Sequence, residues 1–450
     1  MLRKSVKVLL LCAAAALLDG CSTPCDAPGG LCAPMAPITS APPIPAGPPP
    51  VPSMLPPPPD QPAEPPPETF AVAMPEHALT PDTDLAPRTD AAPAADGAPL
   101  SRIALLLPLR SETLGPAAES LRAGFMAAYE RDRDGLTVSV VDTGDGVQDV
   151  LALYATALEQ QDMVVGPLAR SAVTAVAGSA LVHKPTIALN YPEGRGDDAP
   201  LPPDMLVMGL SIEAEARQVA AWAANEQPGG RALVISAGSP WQKRIASAFT
   251  TRWQDLNGNA QALDMGALNG YLADAELVQL RARLLNDPPT LIFAALDPDQ
   301  LRQLRVAIGN GIPLYGTSSL NAGVADVSNA GLPGPELDGV HLLDLPWQVQ
   351  RDHPAVMVYP RPVQDGPSAG GADMQRLYAL GIDAFRVARE IARHPHGRFA
   401  IDGVTGKLSG SFGQGPARFE RAELPAMYQN GVLAPVTPGA QPAAPAPVAE

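Results

Sequence analysis

Beyond residue 32 the chain contains no cysteine, and its four, Cys12, Cys21, Cys25 and Cys32, crowd the N-terminus. The rest of the chain therefore has no thiol nucleophile, and no Cys-x-x-Cys pair stands ready for zinc. Basic charge is also in short supply. Lys and Arg number 31 against 47 Asp and Glu, for a formal net charge of −16. Nucleic acid needs a basic face, and anionic lipid attracts polybasic segments, so neither is expected as an electrostatic partner. Long apolar runs are missing as well. The one run of note, Val8 to Leu18, falls short of the roughly 20 residues a spanning helix needs. Catalytic signatures are equally scarce. A penicillin-binding active site needs Ser-x-x-Lys, one helical turn apart. The nearest approach, Ser239 and Lys243, is one residue too long, and Thr405-Gly406-Lys407 is not Lys-Thr-Gly. Gly403-Val-Thr-Gly-Lys-Leu-Ser409 lacks the spacing of a phosphate-binding loop. His394 and His396 flank a proline, and Asp197-Asp198 lie in a Gly/Pro loop, so solvated positions outweigh ligand or acid–base roles. The expectation is a protein without cofactor, metal or catalysis. An uncharacterised hydrolase is the weakest of the competing readings.

What is present begins with an export signal. Arg3, Lys4 and Lys7 precede the apolar run, as in a secretory signal peptide over residues 1–20. Leu18-Asp19-Gly20-Cys21 resembles a lipobox, in which Cys21 is lipidated and becomes the mature N-terminus, although Asp19 departs from the usual small residue. The alternative is ordinary cleavage in the Ala13 to Ala16 stretch, with Cys21 incidental. Cys25 and Cys32 are then a candidate disulfide in an oxidising compartment, or two free thiols. Ser22 after the lipidated Cys, rather than Asp, directs such a protein to the outer membrane by the enteric sorting rule. An inner-membrane anchor facing the periplasm is the alternative. In either case attachment is through lipid only.

Residues 21–100 carry the lipidation site and then a Pro/Ala tract. Runs such as Pro56 to Pro59 lack the N–H groups that helices and central strands require. Such a tract favours polyproline II at about 3.1 Å per residue and has too little apolar surface to fold. It is expected to be a disordered stalk that lifts the following domain off the membrane, or else simple low-complexity filler. A second disordered tail is expected over residues 437–450.

Between them the pattern changes. Ile103 to Leu107 reads as a buried strand, and Val147, Val150, Leu151, Tyr154 and Leu158 form a helical stripe. Strand and helix then alternate repeatedly, with runs apolar on both faces. That predicts α/β architecture with mostly parallel, doubly wound sheets. About 336 residues exceed one comfortable core, so two lobes are expected.

Along residues 101–436 a set of marks resembles a known family. They include Ile103-Ala-Leu-Leu-Leu-Pro-Leu109, Val165-Gly-Pro-Leu168, Pro185-Thr-Ile-Ala-Leu-Asn190 and Gly209-Leu-Ser211. Ser239-Pro-Trp241, Asp338-Gly-Val340, Leu345-Pro-Trp347, Leu377-Tyr-Ala-Leu-Gly-Ile-Asp-Ala-Phe385 and Gly403-Val-Thr-Gly-Lys-Leu-Ser409 continue the series. Together they are similar to the C-terminal domain of the penicillin-binding protein activators, the LpoA-type outer-membrane lipoproteins. The resemblance implies the type I periplasmic-binding fold, in which the chain crosses between lobes three times. Carried onto this chain, it places lobe one at 101–210 plus 317–393 and lobe two at 211–316 plus 394–436. It also implies a role: stimulating a bifunctional class A penicillin-binding protein, a peptidoglycan synthase. The best-known members carry a helical-repeat domain where this chain has its Pro-rich tract, so contacts made by that domain do not carry over. The runner-up is a solute receptor for an amino-acid-type ABC transporter.

Open α/β sheets collect ligands beyond the carboxyl ends of their strands. Those ends supply the cleft candidates Arg110, Ser111, Asn190, Tyr191, Ser236, Asp297, Thr317 and Ser318. The competing explanation for each is turn chemistry or helix capping. Trp347 and Tyr359, around a Pro-rich loop, are the candidates for an aromatic partner interface, with lobe core as the alternative for Trp347.

Overall fold

The computed structural model describes residues 101–194, 200–321, 335–362 and 371–436. The expected signal peptide, Cys21, Cys25, Cys32, the Pro-rich tract and the C-terminal tail lie outside the described residues.

The first sheet is built from β1 (Ser101–Leu107), β2 (Leu136–Asp142), β3 (Met163–Val165), β4 (Thr186–Ala188) and β5 (Met205–Val207). Its strand order is β2-β1-β3-β4-β5, all parallel. Five consecutive side chains of β1 are buried because helices cover both faces. Interleaved are α1 (Gly115–Arg131), α2 (Val147–Gln160) and α3 (Arg170–Ala177). The stripe of α2 buries Val150, Tyr154 and Leu158, as its periodicity requires.

The second sheet starts after α4 (Ile212–Glu226) and contains β6 (Arg231–Ser236) and, after α5 (Pro240–Asp255), β7 (Asn259–Asp264). A short hairpin, β8 (Ala267–Leu268) and β9 (Tyr271–Leu272), precedes α6 (Asp274–Asn286), β10 (Leu291–Ala295), α7 (Pro298–Ile308) and β11 (Leu314–Gly316). Next comes β12 (Val340–Asp344). The remaining elements are α8 (Ala372–Arg393), β13 (Gly397–Asp402), β14 (Lys407–Phe412), β15 (Arg418–Ala422), β16 (Leu424–Gln429) and β17 (Val432–Pro435). The order across the second sheet is β17-β16-β12-β11-β10-β6-β7. Its strands are parallel from β12 to β7, and β16 joins β12 antiparallel.

Two lobes and three crossings are present, but the lobe boundaries carried over from the resemblance need correction. β12 was assigned to lobe one, yet it pairs with β11 on one side and β16 on the other. A strand this buried needs ladder partners on both edges, and the second sheet supplies them. The segment 397–422 was assigned to lobe two. It forms a separate sheet, β13-β14-β15, whose inner residues Val404, Leu408 and Phe412 join the core of lobe one. The three crossings therefore fall at Met208 to Ser211, at Leu345 and at Glu423.

Lobe one is closed by α8 lying across α1. Two glycines let the backbones touch. A Cβ on Gly124 would strike the Tyr378 carbonyl, and one on Gly381 would strike that of Leu121. Phe125 and Phe385 then meet edge to face at 5.4 Å between centroids.

Candidate functional site

The three crossings converge on a buried charged cluster. Arg376 of α8 donates from Nη2 to Asp344 at the end of β12 at 2.9 Å, and to the Ser318 carbonyl at 3.0 Å. Asp344 is fully buried, and its other partners include Asn321 Nδ2 at 2.7 Å and the Leu345 amide at 2.8 Å. Glu215, in the first turn of α4, accepts from the Ser318 amide at 2.9 Å. Burial pushes the Glu215 carboxyl up to about 7, and the Asp344 charge adds to the rise against the opposing Ser318 amide. Burial works to lower the Arg376 pKa, but the Asp344 carboxylate outweighs it and holds the guanidinium charged. Glu423, at the third crossing, is raised well above an ordinary carboxyl by burial and by the charge of Glu215.

Above this cluster a cavity of about 690 Å³ opens between the lobes, bounded by Trp241, Asp297 and Ser318 on one side and Leu345, Met374 and Arg376 on the other. Of the sequence candidates it brings together Asp297 and Ser318. A second space of about 750 Å³ takes Asn190 and Tyr191 against α4 and α5. Arg110, Ser111, Ser236 and Thr317 line neither cavity.

Most of the candidates' polar atoms are already engaged. Arg110 donates to the Asp142 carbonyl at 3.0 Å. Ser111 Oγ accepts from the Leu114 amide at 2.9 Å. Asn190 donates to the Leu168 carbonyl at 3.1 Å and accepts from the Tyr191 amide at 2.9 Å. Ser236 donates to Asp264, and Thr317 shares a 2.9 Å hydrogen bond with Ser319. Asp297 caps α7, accepting from the Gln300 amide at 2.9 Å, and burial still raises its pKa. The turn alternative thus describes Ser111, which bonds the Leu114 amide ahead of α1, and the capping alternative describes Asp297. The charged cluster was not among the sequence candidates. Its one clue was the acidic turn after Gly209-Leu-Ser211, because Arg376, Asp344 and Glu423 are brought to it only by the crossings.

The aromatic interface requires a correction. Trp347 is fully buried in the core of lobe one, packed on Tyr378, with the Arg361 guanidinium 4.0 Å from its ring. A leading proline starts a one-turn helix that folds the indole inward, out of reach of any partner. Tyr359 is half-buried beneath Arg131, while its neighbours Met357 and Val358 are exposed.

Among the described residues no group of His, Cys, Asp and Glu could hold a metal, and no helix is long and apolar enough to cross a membrane. The spacing Gly-x-Ser-x-Gly does occur, at residues 366–370, and lies outside the described residues.

Two mostly parallel sheets joined by three crossings, with a cleft beyond the strand ends, define a periplasmic-binding architecture of type I. Within that class the chain belongs to a named family: residues 73–431 match the family described as LppC putative lipoprotein. Among its relatives is "Penicillin-binding protein activator LpoA" of Haemophilus ducreyi, 28% identical over 74% of this chain and 54% of that protein. The Haemophilus influenzae protein of the same name is 27% identical over 75% of this chain and 55% of its own length. The chain thus spans about half the length of these curated relatives. A solved structure described as a putative branched-chain amino acid ABC transporter from Chromobacterium violaceum is 33% identical, with a TM-score of 0.57. The match covers 73% of this chain and 99% of that one. The C-domain of H. influenzae LpoA, described as a regulator of PBP1A, is 23% identical and superposes with a TM-score of 0.57. It covers 75% of this chain and 100% of that one, and at this identity it supports the fold alone.

Proposed function

We propose that the domain of residues 101–436 binds a bifunctional class A penicillin-binding protein and raises its peptide crosslinking, with no catalysis of its own. The observation that carries this reading is the family match along residues 73–431, whose relatives are named as activators. Of the candidates that reach the 690 Å³ cavity, Asp297 is already engaged in capping α7, which supports this reading, since a solute receptor must keep hydrogen-bonding capacity free for its ligand. In this reading Cys21 carries the lipid, the protein sits on the periplasmic face of the outer membrane, and residues 21–100 provide reach toward the inner membrane.

The second reading, a solute receptor for an amino-acid-type transporter, is favoured by the description of the Chromobacterium structure. One experiment separates them. Purified protein is added to the cognate synthase with lipid-linked precursor, and peptide crosslinks are counted. The activator reading expects crosslinking to rise several-fold. No rise, together with tight calorimetric binding of a free amino acid, would establish the receptor instead.

A further inference from the structure

Exposed apolar side chains concentrate on the outer face of lobe two. Among the described residues nine large ones are exposed, and five of these fall on three neighbouring elements. They are Leu268 and Tyr271 on the β8–β9 hairpin, Val278 and Leu285 on α6, and Val306 on α7. The hairpin is tied to α7 by the Leu272 amide, which donates to Gln303 at 2.8 Å. Leu277, Val278, Val306 and Ala307 line a groove of about 550 Å³ between α6 and α7. A contiguous apolar patch of this kind marks an interaction surface.

The order of residues along α6 says what covers it. Tyr271, Asp274, Val278, Arg281 and Leu285 follow one another at spacings of three, four, three and four, and all five are exposed. At 3.6 residues per turn the four that belong to α6 lie within an arc of about 60°. The stripe reads apolar, acidic, apolar, basic, apolar. Read backwards it is the same stripe with its charges exchanged. Neither Asp274 nor Arg281 has an ion-pair partner among the described residues.

A second copy laid antiparallel on α6, about a two-fold axis at Val278, therefore sets unlike charge against unlike. Asp274 stands four residues before the axis, about 6 Å along the helix, and Arg281 three residues after it, about 4.5 Å. Each aspartate comes level with the copy's arginine to within about 1.5 Å, and symmetry makes the pair twice. Val278 meets its own counterpart, and Leu285 comes opposite Tyr271. Ala275 and Ala282, small and exposed beside the stripe, allow the helices to approach.

We propose that α6 is a self-association face, along which two copies of this chain pair antiparallel around Val278 with reciprocal Asp274–Arg281 ion pairs. Such a contact uses the same patch on both chains, so it closes as a dimer instead of growing into a filament. The apolar centre supplies attraction, and the charges fix direction and register. Two chains of net charge −16 also repel one another. The dimer is therefore weak, dissociating on the order of 10–100 µM at about 0.15 M salt, where screening acts within about 8 Å.

The test uses the full chain without any synthase, so its outcome is separate from that of the activator reading. Sedimentation equilibrium from about 1 to 300 µM is expected to show monomer and dimer in exchange. Asp274→Arg and Arg281→Asp each set like charges opposite one another and should weaken the dimer by at least about tenfold. Val278→Glu, which places two carboxylates on the axis, should do the same. Mixed in equal amounts, Asp274→Arg and Arg281→Asp chains regain opposite pairing with each other, and association should return to within about threefold of wild type. Thermal melts at about 1 µM, where monomer dominates, check that each variant folds. The proposal is overturned if the wild-type chain stays monomeric throughout that range, if the folded variants dimerise as well as wild type, or if the mixture associates no better than its components.

Discussion

The two lobes share an architecture but are assembled differently. Lobe two is nearly continuous in sequence, from α4 through β12, with only the β16–β17 hairpin arriving from the C-terminus. Lobe one is stitched from distant segments. Ser120 on α1 donates to the Met374 carbonyl on α8 at 2.6 Å, 254 residues away. Asp132 and Asp134 pair with Arg389 and Arg393. The three-stranded sheet is then fastened to α8 by Asp383, which accepts from the amides of Val404 at 3.2 Å and Thr405 at 2.7 Å. The Thr405 hydroxyl reaches the same carboxylate at 2.6 Å. By contrast the outer helices of lobe two, α6 and α7, leave Val278 and Val306 largely exposed. The lesson is that lobe one joins segments distant in sequence, through the apolar packing of α8 on α1 and a few polar fastenings, whereas lobe two is built mostly from one continuous stretch.

The sharpest way to break this contrast is Asp383→Ala. It leaves three donors and the Arg386 guanidinium facing a buried gap, and should cost about 3–5 kcal/mol in a urea titration. A midpoint equal to wild type would show that the stitching is not what holds lobe one.

A smaller effect is expected at the crossings, which belong to both lobes. The unfolded chain sheds the Glu215 proton near 4.5, while the folded chain keeps it to about 7. The folded form therefore binds more protons between those values. Stability should fall as pH rises through that window, by on the order of 3 kcal/mol for this group, and level off above it. Melting curves at pH 5, 6, 7 and 8 should show the decline in wild type and a flatter profile for Glu215→Gln, whose amide oxygen can still accept from Ser318. Equal slopes would remove Glu215 as its source.

The smallest effect is expected on lobe two's outer face. Val278→Ser and Val306→Ser, each at an exposed helical position, should shift stability within about 0.5 kcal/mol. A larger loss in thermal melts would mean that this face is packed in solution, and the contrast between lobes would narrow.

The alternation that predicted the sheets was legible because a parallel strand covered on both faces must be apolar throughout, as Ile103 to Leu107 and Leu291 to Ala295 are. The cleft candidates were only half legible. Ser111 and Asp297 do sit at strand ends, but a hydroxyl or carboxylate there caps a helix as readily as it meets a ligand. Trp347 misled because an aromatic beside prolines gives no sign of which way its ring turns. The charged cluster was not legible, since its members, from Glu215 to Glu423, lie on segments more than 200 residues apart.

The amino-acid sequence by itself therefore determined the local matters: which runs are strands, which stripes are helices, and that two sheets must form. Glycines at 124 and 381 were also written there, but their purpose was not, because it exists only where two helices cross. The tertiary structure alone decided which sheet received β12, which lobe received the β13–β15 sheet, and that Glu215, Asp344, Arg376 and Glu423 share one buried site. Short-range periodicity encodes which faces are apolar. It does not encode which other segment covers them, because that choice is made by long-range pairing and by the satisfaction of buried polar groups.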